Sequence, residues 1–502
     1  MKLFVKKSIQ QLLASADEGE HTLKRTLSAG NLIALGIGAI IGAGLFVRTA
    51  AAAGEHAGPA VTLSFIVAAV GCAFAGLCYA EFASIIPIAG SAYTYAYATM
   101  GEIVAWIIGW ALILEYALGA ATVAISWSEY LNKLVGDKIP YEWCHSPMES
   151  VAGHHGIMNI PALVILLLLS LLLIRGTQES ATVNTVIVIL KVSIVLVFIA
   201  VGWHFMKDAN HTPYVIPADA KPAVLANGSK YSYSPFFNHG WGGILAGAGV
   251  VFFAFIGFDA VSTAAQEAKN PKKDMPIGIL GSLVVCTILY ILFSYVLTGV
   301  APYRDFMTQG KEASVAYAIS TYMHMGWLAS LVTVAILLGF SSVILVMLLG
   351  QSRVFYTMST DGLLPKVFSD LHPKFRTPYK SNMILFIFVG LFAAFLPESV
   401  AGDLTSIGTL FAFVVVCIGV MVLRKKDPNL VRPFKTPLVP LVPILGIIIC
   451  GAMIVSLDRS TQYAALAWMV IGLVIYFSYS HKNSKLGTAG DILPTASDFE
   501  KK

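Results

Sequence analysis

Two glycine-rich stretches interrupt long apolar segments of the sequence, and they are the features most able to do chemistry. The first places Gly42 and Gly44 on either side of Ala43, and the second places Gly257 two residues before Asp259. Glycine allows unwound backbone and lets a ligand approach the main chain closely. We therefore expect both stretches to be breaks in otherwise helical segments.

Each break offers hydrogen-bonding groups of both polarities. Unwinding frees amide groups at the start of the second half-helix, and these attract a carboxylate. It also frees carbonyl groups at the end of the first half-helix, and these attract an ammonium group. One break can thus hold the two charged poles of an α-amino acid. The alternative is close helix packing through small residues, and glycine spacing alone favours neither interpretation.

Two ionisable residues lie deep within other apolar segments. Lys191 is too far from either end of its segment for its ammonium group to reach water easily, so it should face the protein interior. It is a candidate proton carrier because burial eases release of its proton; the alternative is a charged strut paired with a carboxylate. Glu115 is either a protonated, hydrogen-bonded acid or a group that faces the substrate. Asp259 is a candidate cap for the half-helix that follows it.

The composition places these residues in a membrane protein. The chain has 502 residues, of which 57% are hydrophobic and 12% are charged, whereas about a quarter are charged in a soluble domain. A soluble protein with this composition would expose large apolar patches. We count about twelve segments of spanning length. They are 28–54, 58–86, 101–132, 157–175, 181–206, 241–267, 276–300, 327–357, 382–397, 402–424, 438–457 and 462–480.

Most lysine and arginine residues fall in the connections that share a side with the termini, and Arg48 is assigned to the opposite side. Both termini are therefore predicted to be cytoplasmic, in the plasma membrane. Because the first and sixth spans carry matching breaks, they suggest two halves related as inverted repeats. The predicted units are an N-terminal tail (1–26), a first repeat (27–206), an external loop (207–240), a second repeat (241–424), two further spans (425–481) and a C-terminal tail (482–502).

Several other functions lack support in the sequence. No basic stripe with interleaved aromatic residues indicates nucleic-acid binding. Cys144, His145, His154 and His155 share one loop, but their spacing matches no standard zinc pattern, so no metal or other cofactor is predicted. No hydrolase or metalloprotease motif is found, which argues against an enzyme, and the lack of a Walker loop argues against ATP-driven pumping.

A set of motifs follows one another in a fixed order along the chain. They are 42–44, 57–60, 77–82, 90–97, 101–102, 109–110, 255–259, 267–271, 276–279 and 361–365. Together they resemble the amino acid–polyamine–organocation superfamily, and in particular bacterial homologues of the cationic amino acid transporters, over about 25–480. Gln266 and the Ser359-Thr360 pair depart from the residues that many relatives carry, which leaves the details of cytoplasmic gating open.

The resemblance implies an all-α fold of about twelve transmembrane helices: two inverted five-helix repeats with broken first and sixth helices, then two C-terminal helices. It implies that the substrate carboxylate meets the amides near Ala43 and Gly44. Lys191 matches a lysine that stands where sodium-coupled relatives bind sodium, which implies proton coupling. The full set of candidates is Ile40, Gly42, Ala43, Gly44, Glu115, Phe253, Ala254, Ile256 and Gly257 for the substrate, with Ile40, Phe253 and Ile256 offering carbonyls to its amino group, Lys191 for protons, and Phe253 and Asp259 for gating.

The resulting hypothesis is proton-coupled transport of L-amino acids by alternating access. Small neutral substrates such as alanine are favoured because the eighth span holds no obvious acidic partner for a basic side chain, while Glu115 keeps arginine and lysine open. Two alternatives remain: an amino acid exchanger on the same fold, and a receptor that binds amino acids without moving them. The sequence makes no prediction of oligomeric state.

Overall fold

The computed structural model describes residues 4–7, 27–86, 91–151, 153–175, 181–225, 228–308, 313–375 and 377–486. The longer helices are α1 (Ala29–Ile40), α2 (Val61–Ile85), α3 (Ser91–Thr99), α4 (Glu102–Leu134), α5 (Ile160–Ile174), α6 (Ala181–Gly202), α7 (Gly240–Val251), α8 (Pro271–Val300), α9 (Gly326–Thr360), α10 (Tyr379–Phe395), α11 (Glu398–Lys426), α12 (Leu441–Ser456) and α13 (Arg459–Ile475). Two short antiparallel hairpins pair β1 (Ser150–Val151) with β2 (His154–His155) and β3 (Ala223–Val224) with β4 (Lys230–Tyr231).

The helices form a multi-pass membrane protein. Leu168 of α5, Ile189 of α6 and Val284 of α8 are 57%, 60% and 59% exposed, as expected of side chains that face lipid. Eight stretches of the described residues are long and apolar enough to cross a membrane. They are Gly44–Ile85, Glu102–Leu134, Thr185–Phe205, Gly240–Ser262, Pro271–Val300, Gly326–Thr360, Glu398–Lys426 and Arg459–Asn483; α1, α5, α10 and α12 are shorter apolar helices. The number of crossings and the repeat architecture stay predictions.

Two apolar stretches are interrupted, at the positions where the glycines predicted breaks. Helix α1 ends at Ile40, and after a bend the chain continues as a π-helical turn over Gly44–Arg48. Helix α7 ends at Val251 and passes into 3-10 turns over Phe252–Phe255 and Asp259–Glu267. Tightly or loosely wound turns of this kind within helical stretches often mark functional sites. The second half of the sixth predicted span is therefore a 3-10 helix in this structure.

The second interrupted stretch lies at the centre of the molecule. In the most apolar 18 residues of each candidate span, 94% of the residues are buried in Gly240–Ser262 and 83% in Glu102–Leu134, but only 33% in Thr185–Phe205. A helix that is apolar all round and also enclosed by protein belongs to the interior of a bundle. The interrupted stretch and α4 thus form the interior, and helices such as α6 form part of its lipid-facing wall.

A buried ion cluster ties α2 to the far end of α11. The Glu81 carboxylate is fully buried and accepts two hydrogen bonds from Arg424, at 3.0 and 2.8 Å. It also lies 3.2 Å from Nε of Arg432 and accepts a hydrogen bond from the Thr436 amide at 2.8 Å. Glu81 therefore forms a structural ion pair, and bidentate pairing of this kind fixes the geometry of both helices.

Removal of the Glu81 charge should destabilise the protein. Glu81→Gln leaves two guanidinium groups without their carboxylate, and we expect the free energy of unfolding to fall by about 3 kcal/mol. Unfolding by SDS in mixed micelles measures this change. Asp370→Asn is the matched control because Asp370 pairs with Lys380 at 2.8 Å while both side chains are 45% exposed; it should have almost no effect. Equal effects of the two substitutions would contradict a structural role for the cluster.

Candidate functional site

The two breaks lie in direct contact with each other. A Cβ atom on Gly44 would stand 2.2 Å from Cα of Ala254, so only glycine lets the two backbones approach this closely. Gly257 has φ of +120°, and a Cβ atom there would stand 2.9 Å from the carbonyl group of Ala39. Close packing and an interrupted helical backbone therefore occur at the same place. The glycines both allow close packing and mark the breaks, so the two interpretations do not exclude each other.

Two backbone amides at the start of the second half-helix have no backbone acceptor among the described residues. The Gly42 carbonyl accepts hydrogen bonds from the amides of Leu45 and Phe46, at 3.1 and 3.4 Å, so the new helical segment begins there. In the described part of the chain, the amides of Gly42 and Ala43 donate to no backbone carbonyl. First-turn amides have no partner within their helix, and they carry the positive end of its dipole. This end of the break can accept an anion.

The carbonyl groups of the two breaks meet at one tyrosine. The Tyr290 hydroxyl of α8 lies 3.0 Å from the Ile40 oxygen and 2.9 Å from the Ala254 oxygen, so its single proton serves either carbonyl. The Phe253 oxygen accepts a hydrogen bond from the Ile256 amide at 3.2 Å. Each carbonyl oxygen has a second lone pair, so these groups can still accept a hydrogen bond from a ligand. The sequence analysis missed Tyr290, although a tyrosine within an apolar helix signals a buried partner.

Lys191 reaches the first broken helix from α6. Its side chain is 1% exposed, and its ammonium group donates to the Gly38 carbonyl at 2.6 Å. The lysine stem lies along Gly339 of α9, where a Cβ atom would stand 3.0 Å from Cε. The ammonium group is thus buried beside the last turn of α1, and Lys191 links three helices at the depth of the break.

The two candidate acids form a separate group beside the second break. Asp259 is fully buried and accepts a hydrogen bond from the Tyr116 hydroxyl at 3.1 Å. Glu115, the neighbour of Tyr116 on α4, is also fully buried and is close enough to Asp259 for their charges to interact. Phe253 lies in the 3-10 turn before the break and is 6% exposed. The structure therefore brings Glu115 towards Asp259.

Comparison with known proteins assigns the chain to a family. The profile of the amino acid permease family matches residues 27–479. The chain belongs to this family. This confirms the superfamily inferred from the motifs, and it makes the protein a membrane-embedded amino acid transporter.

Several relatives align with this amino acid permease along most of its length. It is 45% identical to the branched-chain amino acid permease BcaP of Bacillus subtilis, over 96% of this chain and 99% of the relative. It is 41% identical to the methylthioribose transporter of the same species, over 96% and 99%. It is 36% identical to the vacuolar cationic amino acid transporter 4 of Arabidopsis thaliana, over 84% of this chain and 67% of the relative.

The contact between the breaks can be tested at Gly44. Gly44→Ala should reduce amino acid uptake at least about 10-fold, because the methyl group forces apart two backbones that cannot shift as a side chain can. Gly30→Ala in α1 is the matched control, since a Cβ atom there would meet only the Ser28 hydroxyl at 3.9 Å. Uptake is measured per folded transporter, counted by size-exclusion chromatography. Normal uptake by Gly44→Ala would show that the two breaks need not touch.

Proposed function

We propose that this permease is a proton-coupled symporter of neutral aliphatic L-amino acids that works by alternating access. The observation that carries the proposal is the meeting of the amide-bearing start at 42–44 with the carbonyl-bearing turn at 253–256. Paired interruptions of apolar helices at corresponding positions are typical of transporters with a central substrate site.

The parts common to all α-amino acids bind to main-chain groups in this proposal. The amides of Gly42, Ala43 and Gly44 receive the substrate carboxylate, where the helix dipole favours negative charge. The carbonyls of Ile40, Phe253 and Ile256 receive the ammonium group, and the Phe253 ring closes over the bound molecule; Ala254 and Gly257 shape the second break. The proposed main-chain contacts thus bind the carboxylate and ammonium groups, which every L-amino acid has, and do not involve the substrate's side chain.

The neighbourhood of the breaks favours an apolar substrate side chain. A Cβ atom on Gly42 would meet Val343 of α9 at 3.2 Å, and Ile256 and Ala254 are buried beside the same break. A basic side chain needs a carboxylate, and Val343, Ala254 and Ile256 offer none beside the break. The name of the relative BcaP agrees with aliphatic substrates. We propose a range from alanine to the branched-chain amino acids, with arginine and lysine as weak competitors at best.

The membrane arrangement is proposed from the sequence. About twelve crossings place both termini in the cytoplasm, with 27–206 and 241–424 as inverted repeats and 425–481 as two added helices. The loop at 207–240 then lies outside the cell, and the protein lies in the plasma membrane. The tails at 1–26 and 482–502 fall mostly outside the described residues.

A second candidate substrate follows from one relative. The methylthioribose transporter matches nearly the whole chain, and its named substrate is a thioether sugar without a carboxylate or an ammonium group. Such a molecule would leave both ends of the breaks without their charged partners. Competition decides between the two candidates: excess methylthioribose should leave leucine uptake unchanged, whereas excess isoleucine should abolish it.

Lys191 supplies the coupling in this proposal. In proteoliposomes with an acidic exterior, the wild type should accumulate leucine, and Lys191→Ala should lose the response to the pH gradient while it retains counterflow. The physical reason is that a desolvated lysine held on the Gly38 carbonyl releases its proton when the first helix moves. Lys221→Ala, at an exposed lysine of the 207–240 loop, is the matched control.

The outcomes separate the proposed mechanisms. If leucine accumulation does not depend on the pH gradient in either the wild type or Lys191→Ala, proton coupling is contradicted. Counterflow without net accumulation in the wild type would select the exchanger. Substrate binding without any flux would select the receptor, and binding is measured independently by the thermal stabilisation that a ligand confers.

A further inference from the structure

The connection between α11 and α12 is a well-fixed loop that leaves apolar side chains on its surface. The Arg432 side chain is buried and donates to the carbonyls of Asp427 and Leu430, at 2.7 and 2.8 Å. Two residues of the same loop are nevertheless exposed, Val431 to 83% and Leu438 to 72%. Apolar groups that a rigid loop holds on its surface indicate a contact with something other than water.

Leu438 continues the lipid-facing side of α12. Along this helix Leu441, Ile444 and Ile448 are exposed at helical spacing, and Leu438 precedes the first of them by about one turn. Leu438 also has φ of +47°, which is unusual for a leucine, so the fold keeps it exposed in spite of backbone strain. Because the exposed side of α12 faces lipid, this leucine places the loop at the surface of the bilayer.

Four lysines lie in this loop or beside it. They are Lys6, Lys425, Lys426 and Lys435, and within the described residues none of them forms an ion pair. The Lys6 ammonium group lies next to that of Lys426: burial and, after it, the charge of Lys426 lower the pKa of Lys6 to about 8, and Asp427 opposes them only in part. Two ammonium groups that repel each other form a place where an anion is stabilised.

The segment that carries Lys6 is fixed to the start of α4. The Val5 carbonyl accepts a hydrogen bond from the Glu102 amide at 3.0 Å. Gly101 has φ of +103°, and a Cβ atom there would stand 2.8 Å from Cα of Phe4, so the two backbones are in close contact. A defined backbone therefore holds Lys6 against the end of α11.

We propose that the N-terminal segment and the α11–α12 loop together bind an anionic phospholipid, with Lys6 and Lys426 at its phosphate and Leu438 against its acyl chains. We call this place the lipid site. Lysines beside a transmembrane helix attract anionic lipids, and Lys425 and Lys435 add to the positive potential. A phospholipid fits better than a soluble phosphate compound because one side of the site is apolar.

Membrane topology alone accounts for lysines at the end of a span, but it does not account for this arrangement. Topology requires only that the lysines lie on one side of the membrane. It gives no reason for two ammonium groups from distant parts of the chain to lie next to each other. The proposal also stands apart from the proposed function, since it requires only that the protein lies in a membrane.

Native mass spectrometry of the delipidated full chain measures the lipid site directly, by titration with phosphatidylglycerol or phosphatidylcholine. The wild type should bind the first phosphatidylglycerol at least about 10-fold more tightly than phosphatidylcholine, because each lysine near an anionic headgroup strengthens binding several-fold. Lys6→Gln combined with Lys426→Gln should weaken phosphatidylglycerol binding at least about 10-fold and leave phosphatidylcholine binding unchanged. Lys426→Gln alone serves where the double variant does not fold, and it should weaken phosphatidylglycerol binding at least about 3-fold.

Lys272→Gln combined with Lys273→Gln is the matched control for the charge. These two lysines are exposed in the first turn of α8, and their replacement removes the same charge. The control should keep the preference of the wild type for phosphatidylglycerol.

Leu438→Ser tests the apolar side of the site and keeps every lysine. It should weaken the binding of both lipids by a similar factor, at least about 3-fold. Glycerophosphoglycerol, the headgroup without acyl chains, should not displace phosphatidylglycerol at equal concentration.

Hydrogen exchange adds a measurement that a general attraction to the bilayer would not change. The Glu102 amide has its acceptor on the segment that carries Lys6, so a lipid that holds Lys6 should protect this amide. In nanodiscs of phosphatidylcholine mixed with an equal amount of phosphatidylglycerol, exchange at Glu102 should be at least about 3-fold slower than in phosphatidylcholine alone. The Lys6→Gln and Lys426→Gln double variant should show no such difference.

Equal binding of the two lipids by the wild type, or equal losses in the test and control lysine pairs, would overturn the lipid site. Displacement by glycerophosphoglycerol would overturn it as well, because the site would then bind soluble phosphate diesters. A chain that carries no amino acid contradicts only the proposed function, since both measurements are made without transport.

Discussion

At membrane depth, a polypeptide can interrupt its helical hydrogen bonds only where other groups form hydrogen bonds with the freed amides and carbonyls. Here the two breaks are placed against each other, and the contact of Gly44 with Ala254 brings the exposed backbone of both into one buried region. Tyr290 serves a carbonyl from each break with one hydroxyl group. The remaining amides and carbonyls keep the capacity to bind a zwitterion, so the same arrangement satisfies the backbone and creates the site.

Three of the buried charged residues act on the elements that the glycines interrupt. Lys191 holds the Gly38 carbonyl before the first break, and Arg48 anchors the chain after it. Asp259 follows the second break and is held by Tyr116 of α4. A segment without regular hydrogen bonds has low local stability, and such segments supply the moving parts of proteins. Charged groups placed there stabilise one conformation of a segment that has low local stability. The segment can adopt another conformation when these charged groups lose their partners.

Helix α11 connects the two ends of the molecule. At its first turn Glu398 and, one turn further, Asp403 meet Arg48, and at its last turn Arg424 meets Glu81 of α2. The cluster around Glu81 is saturated by two guanidinium groups and a backbone amide, which makes it a rigid junction. The cluster around Arg48 instead joins α11 to a segment that follows a break. One helix thus serves as a fixed frame at one end and as a contact for a movable element at the other.

The sequence by itself determined the membrane class from composition, the two breaks from glycines within apolar stretches, and the burial of Lys191 from its depth in a span. These features are local, and lipid imposes strict local rules on any chain that crosses it. The sequence assigned Arg48 to an outer connection and passed over Tyr290. Only the tertiary structure decided their roles, because Tyr290 and Ile40 are 250 residues apart and Arg48 and Asp403 are 355 residues apart. Apolar periodicity shows which face of a helix is buried, but a polar group acquires its partner only when distant helices pack together.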